Sequence, residues 1–401
     1  MRGRFVKAAP VIAACLVAGA IGGVKTLSAS TTAGSVSTGA IRIGSGAASS
    51  GADLSHYQYI VLNAWDYGMI PALKRANPQV RVLVYKDMSS TRSYASGDAE
   101  IPTGIDYGWA NANHPDWFTH KSGTRIEWSG YSGHWQMNIG MAGYQNQWAT
   151  NVTSDLAAHG WDGVMIDNAN MNPNGYASLP YDEYSTRQSY QDATRSFLAN
   201  VGPKLQSAGF LVIPNIQHDG AYLTEALWTD WIQFTSGGFL EHYSKWGEDA
   251  SGWLNGSGWT FEQNLQRDAA GKIFLGLFYS PVSDVRSMRY ARASFLLDWD
   301  GGPSAVVFEP SSGADPWSPE WTADIGTPVG SRYQVGSAYR RDYTGGTVVV
   351  NPSSNDSQQV DLGDTYLMPD SSSVTSVTLA AMTGLVLRSP ATTPTTTTAT
   401  P

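Results

Sequence analysis

The chain carries one cysteine, Cys15, in 401 residues. It can form no internal disulfide, so its stability must come from core size, which this length can supply. Charge is also scarce. Charged residues make up 15%, and 25 bases against 34 acids leave a formal net charge of −9. A shortage of bases argues against nucleic acid or an anionic membrane as partner. One apolar run, AAPVIAACLVAGAIGGV at residues 8–24, approaches a membrane span, and it is short for one. The seven histidines are scattered, with no HExxH and no His-x-His pair. There is no GxSxG elbow and no loop with the alternating Asp/Asn spacing of a calcium site. Zinc, serine-nucleophile and calcium chemistries are therefore unsupported, and neither metal nor cofactor is expected.

What is abundant is aromatic surface, at 11% Phe, Trp and Tyr. An acidic, aromatic-rich chain suits neutral polar ligands with apolar faces, of which sugars are the commonest. The start, MRGRFVK followed by the apolar run and LSAS, has the order of a secretory signal peptide over residues 1–30. Its removal takes away Arg2, Arg4, Lys7 and Lys25 and no acid, moving the formal charge from −9 to −13. The expected product is a secreted bacterial protein. IAAC at 12–15 resembles a lipobox, but the apolar run continues past Cys15, which disfavours lipid anchoring. Residues 31–54, rich in Ser, Gly, Ala and Thr, read as a flexible linker, and 390–401 as a Thr/Pro-rich tail.

Between these ends, short apolar runs alternate with helical patterns. The expected strands are YQYIVLNA, VRVLVYKD, HWQMNIG, GVMIDN, FLVIPNI, GGFLEHY, KIFLGLFY and SAVVFEP. Tyr144, Trp148, Val152 and Leu156 form one face of a helix stopping at Gly160, and a second helix over 186–208 should kink or break at Gly202-Pro203. Apolar strands alternating with helices give a parallel sheet covered on both faces. Eight such units over 55–330 fit a closed (β/α)8 TIM barrel. The rival, a doubly wound open sheet, lacks a Gly-rich turn after its first strand. From 331 to 389, short strands separated by Gly, Asn, Asp and Ser predict a small antiparallel β-sandwich packed on the barrel.

A barrel sorts its polar residues by end. Each strand leaves at the functional face, so Asp162, before GVMID, belongs to the bottom and Asp167, after it, to the mouth. The same sorting brings Lys86 and Asp87, Asn168, Asn215 and Gln217, Glu241, Tyr279 and Glu309 to strand ends, with Trp135 on the weaker third strand. One such carboxylate can be a mere helix cap. Asp87, Asp167, Glu241 and Glu309, on four strands, would converge on one opening. Carboxylates, amides and aromatics are the set that glycoside hydrolysis requires: an acid for the leaving oxygen, a second carboxylate to attack or to activate water, and rings to stack on sugar.

The stretches GWDGVMIDN, GGFLEHYSKW, SAVVFEP, WSPEWTADIGTPVG and YRRDYTGGTVVVNPS resemble a family of bacterial glycoside-hydrolase-like TIM barrels with a small C-terminal β-domain. The resemblance spans about residues 55–388. It implies a barrel with a glycosidase-type pocket and leaves the sugar open. By analogy with retaining barrels whose carboxylates sit on strands four and six, Asp167 matches the nucleophile and Glu241 the acid/base. Asn168, Asn215 and Lys86 would then keep Asp167 ionised, the apolar approach FTSGGFL would favour a protonated Glu241, and Asp87 and Glu309 would hold substrate hydroxyls. A catalytically silent glycan-binding barrel and a lyase or transglycosylase using the same site are the alternatives.

Overall fold

The structure is a computed structural model describing residues 38–42, 54–95, 101–173, 177–216, 222–245, 256–309 and 317–390. Residues 1–30, read above as a signal peptide, and 391–401 of the tail lie outside these residues. Eight parallel strands form the central sheet: β1 (Thr38–Arg42), β2 (Tyr59–Leu62), β3 (Arg81–Asp87), β4 (Gly163–Asp167), β5 (Leu211–Pro214), β6 (Gly237–Leu240), β7 (Ile273–Tyr279) and β8 (Ala305–Glu309). Their order is β6-β7-β8-β1-β2-β3-β4-β5. The Ser236 N–H donates to Val212 O at 2.9 Å and Ile216 N–H to Phe239 O at 3.0 Å, closing β5 onto β6. This is the expected TIM barrel.

Two expectations about its strands need correcting. β1 lies within the stretch read as linker, pairing Gly39 with Tyr59 on one side and Val307 on the other. Its own apolar content is little more than Ala40 and Ile41, so the neighbouring backbones, not hydrophobic patterning, define it. HWQMNIG, by contrast, is no barrel strand. His134–Gln136 pairs antiparallel with Ser90–Arg92 as a ribbon in the long insertion after β3. The two errors cancel: Asp167 still ends the fourth strand, and Glu241 directly follows the sixth.

Strand alternation divides the interior from the wall. Ile41, Tyr59, Val61, Leu83, Met165, Ile213, Phe239, Leu275, Leu277, Ala305 and Val307 fill the barrel as one cluster. The intervening residues pack outward against α3 (Ala142–His159), α4 (Arg187–Ser207), α5 (Glu225–Ile232), α6 (Gly256–Asp268) and α7 (Val285–Asp298), labelled after α1 (Ile70–Ala76) and α2 (Tyr107–Asn113). α3 ends at Gly160, whose left-handed φ of 76° only glycine adopts cheaply. Of the expected kink or break in α4, the break does not occur: the helix runs through Pro203. A Cβ on Gly163 would lie 2.2 Å from Leu211 O, so the glycine that opens the Asp167 strand is what lets β4 and β5 approach.

Beyond the barrel, six strands form one antiparallel sheet: β9 (Tyr333–Val335), β10 (Ala338–Tyr343), β11 (Gly346–Asn351), β12 (Gln358–Leu367), β13 (Ser373–Leu379) and β14 (Thr383–Arg388). The run GTVVVN of β11 is buried throughout. Val348 and Val350 join the barrel-side core, while Val349 packs with Val360, Leu362 and Leu387 in a small core of its own. Arg341 ties the sheet to the barrel by donating to Leu296 O, Leu297 O and Trp299 O at the C-terminal end of α7.

Candidate active site

The interior alternation carries one layer further at the C-terminal ends of the strands. Tyr85 follows Leu83, Asp167 follows Met165, Asn215 follows Ile213, Glu241 follows Phe239, and Tyr279 follows Leu277. Each is two residues beyond a barrel-filling side chain, and together they line the mouth.

They form one hydrogen-bonded chain across it. The Tyr85 hydroxyl donates to Asp167 Oδ2 at 2.6 Å. Asn215 Nδ2 donates to Asp167 Oδ1 at 2.9 Å and to Glu241 Oε2 at 2.8 Å. The Tyr279 hydroxyl completes the run on Glu241 Oε1 at 2.7 Å. At its outer end, Arg92 of the ribbon approaches the Tyr85 hydroxyl at 3.4 Å. At its inner end, His242, in a left-handed turn (φ 64°), brings Nε2 to 3.6 Å from Glu241 Oε1. Burial lowers the His242 pKa, against the opposing pull of Glu241. Glu309 stands in register with Tyr279 and is partly buried.

The bridging amide fixes the spacing of the two carboxylates. At ideal amide geometry its two N–H bonds diverge by about 120°, which would set the oxygens they hold roughly 5 Å apart. Burial raises the Asp167 pKa from 3.8 to about 6, with Asp87 and then Glu241 adding to the rise. The Tyr85 and Asn215 bonds pull it back. Arranged this way, one carboxylate can attack or orient while the other passes a proton, the two held together by the Asn215 amide.

The model of the family described as hypothetical glycosyl hydrolase family 15 matches residues 74–347, a span holding both carboxylates. The chain belongs to that family. No protein of curated description matches it. Among solved structures, the glycoside hydrolase domain of PelA from Pseudomonas aeruginosa is 15% identical over 68% of this chain and 93% of its own, at a TM-score of 0.41. Ega3 of Aspergillus fumigatus, solved in complex with galactosamine, is 12% identical over 72% and 97%, at 0.40. An α-amylase from Malbranchea cinnamomea is 9% identical over 84% and 86%, at 0.47. Likenesses this distant carry neither activity nor substrate across.

In this glycosyl hydrolase family member, several expected site residues lie elsewhere. Lys86 is one residue out of phase with Tyr85, so it points outward. Its ammonium is buried against Asp155 Oδ2 of α3 at 2.6 Å and Ile101 O at 2.8 Å, too occupied to steady Asp167. Asp87 is fully buried. Oδ1 accepts from the Ser89 N–H and hydroxyl, and Oδ2 from the Ser90 hydroxyl at 2.5 Å, so it orders the turn after β3 and offers no oxygen to substrate. Asn168, turned by a φ of 61°, is buried and accepts from Asn170. Trp135 lies on the opposite ribbon face from His134 and Arg92, its ring 6.2 Å from Tyr107. Gln217 lies outside the described residues. Asp162 is at the far face, as expected, bonded to Lys74 at 2.9 Å and to the Val82 N–H at 2.8 Å.

Two members of the chain across the mouth, Tyr85 and Arg92, are not among the residues expected from sequence. The phase of RVLVYKD contains the signal for Tyr85, since it alternates with Leu83. Arg92 has no such signal, being a single base in an irregular insertion. Among the described residues no group of three or more His, Cys, Asp or Glu is placed to hold a metal ion, and no helix is long and apolar enough to cross a membrane.

Proposed function

We propose that the protein hydrolyses O-glycosidic bonds of a poly- or oligosaccharide by retaining double displacement, with Asp167 as nucleophile and Glu241 as acid/base. The observation that carries this reading is the single Asn215 amide holding both carboxylates, at 2.9 and 2.8 Å. Retaining enzymes place their carboxyl groups about 5–5.5 Å apart, while inverting ones leave roughly 6.5–9.5 Å for a water. Oxygens sharing one nitrogen favour the shorter distance.

Glu241 protonates the leaving oxygen as Asp167 attacks the anomeric carbon, forming a glycosyl ester. Deprotonated, Glu241 then takes a proton from the water that cleaves the ester, and the starting state returns. This order needs Asp167 ionised, and the Tyr85 and Asn215 donors favour that form against the burial that raises its pKa. The Asn215 and Tyr279 donors keep Glu241 aimed at the gap in either protonation state.

The N-terminal segment supports a companion reading, export of the chain with cleavage near residue 30. N-terminal sequencing of protein from culture supernatant tests it, and a membrane-retained chain lipidated at Cys15 overturns it. For the reaction, the mature protein is screened against microbial and plant polysaccharides, and the first-formed product is read by proton NMR. Retention of the substrate's anomeric configuration is expected. The opposite anomer would overturn the double displacement.

A further inference from the structure

Arg92 stands beside the mouth with its hydrogen-bonding edge largely unused. The Nε–H is buried and has no partner, and Nη2 has only the long 3.4 Å approach to the Tyr85 hydroxyl. A buried donor left unpaired is costly. Two other arginines show what this edge takes when it is filled. Arg195 donates from Nε and Nη2 to the two oxygens of Asp230 at 2.7 and 3.0 Å, and Arg289 does the same to Glu320. The fork of a guanidinium matches a planar carboxylate two bonds at a time.

The surroundings preserve the charge for a ligand. Asp87 is near enough to favour the charged Arg92, yet both its oxygens are committed to Ser89 and Ser90. His134, in register with Arg92 on the paired strand, has its pKa pushed down to about 4, by burial and then by Arg92. It is neutral where Arg92 is charged. The two bonds through Tyr85 put Nη2 at most about 6 Å from Asp167 Oδ2. A sugar whose anomeric carbon meets Asp167 therefore has its own ring substituents within reach of Arg92, without help from a neighbouring sugar.

Resting on the hydrolase reading above, we propose that Arg92 is the specificity-determining residue for a hexuronate unit, pairing through its guanidinium with that sugar's carboxylate. The substrate class is then an acidic glycan. The chain's net negative charge supplies no long-range attraction for it, so recognition falls to this local cation.

Binding to the Asp167→Asn variant tests the inference without requiring turnover. The probes are trisaccharides of galacturonate, mannuronate and guluronate, each titrated calorimetrically beside its carboxyl-reduced, neutral counterpart. One acid form is expected to bind at least about tenfold tighter than its reduced form, and the added change Arg92→Gln to bring the two within about twofold. Arg92→Lys, which keeps the charge and loses the fork, should retain only part of the preference, and it serves if the glutamine variant does not fold. Equal or absent binding of every acid form, or a preference that survives Arg92→Gln, overturns the proposal. Hydrolysis of the same glycans by the unmodified protein is scored separately. Arg92-dependent binding without cleavage supports this site and counts against the hydrolase reading, whereas cleavage of neutral glycans alone counts against this site.

Discussion

At the scale of single residues, the site depends on phase and on a shared proton. Asp167 was legible from sequence because it ends a strand that also supplies a barrel-filling Met165, and Glu241 because it stands likewise beyond Phe239. Lys86 and Asn168 were misplaced because a strand-end rule ignores which face a residue occupies, and one position reverses the face. Asp167→Asn is expected to leave the fold intact and reduce turnover by more than about a thousandfold. Asp162→Asn keeps an acceptor for Val82 but loses the Lys74 charge, costing about 1 kcal/mol of stability and little activity. Similar activity losses in both variants, with folding intact, would contradict the placement of β4. The proton makes a further prediction. With Asp167 at about 6, kcat/KM should fall on the acid side near pH 6, because the nucleophile must be ionised. The Tyr85 bond lowers that pKa, so Tyr85→Phe should move the acid limb upward. A limb that stays put or moves down would show that the profile reports another group. For stability the sign is opposite. The folded pKa lies above the unfolded value, so folding takes up a proton between about pH 4 and 6, and the Asp167 contribution to stability declines as pH rises through that window.

At the scale of elements, apolar runs in the sequence revealed seven of the eight barrel strands. β1 escaped because Thr38–Arg42 is flanked by Ser- and Gly-rich chain and brings little hydrophobic area. Its strand character comes from β2 and β8, which it joins. The ribbon strand His134–Gln136 misled for the converse reason, being apolar enough to pass for a barrel strand while pairing with Ser90–Arg92 and bridging to Glu127, all within the insertion. A chain beginning at residue 44 therefore lacks the strand that closes β8 onto β2 and exposes two open sheet edges. It is expected to be insoluble or to lose its cooperative thermal transition, as circular dichroism would show. A soluble chain with an unchanged Tm would mean that β1 is dispensable to the barrel.

At the scale of the whole molecule, the sequence signalled the change of architecture near residue 331 through strand length and turn residues. It could not show how β11 serves two cores at once, because burial on both faces leaves no alternation to read. Arg341 is part of that junction, its guanidinium spent on carbonyls at the end of α7 and on Gly330 O at 2.8 Å. Removing it strands several buried acceptors. Arg341→Ala should cost about 3 kcal/mol, equivalent to a Tm lower by about 4 °C in a single calorimetric transition. Two separated transitions in the unmodified protein would instead show that sheet and barrel unfold independently.

The catalytic pair is tested most directly by catching the intermediate. In a Glu241→Gln variant given a glycoside with an activated leaving group, the first step no longer needs the acid, while the second lacks its base. Glycosylated protein should accumulate, and peptide mass mapping after an acid quench should place one sugar on Asp167. An adduct on another residue, or turnover of that glycoside with no adduct at all, would contradict Asp167 as nucleophile and Glu241 as its acid/base.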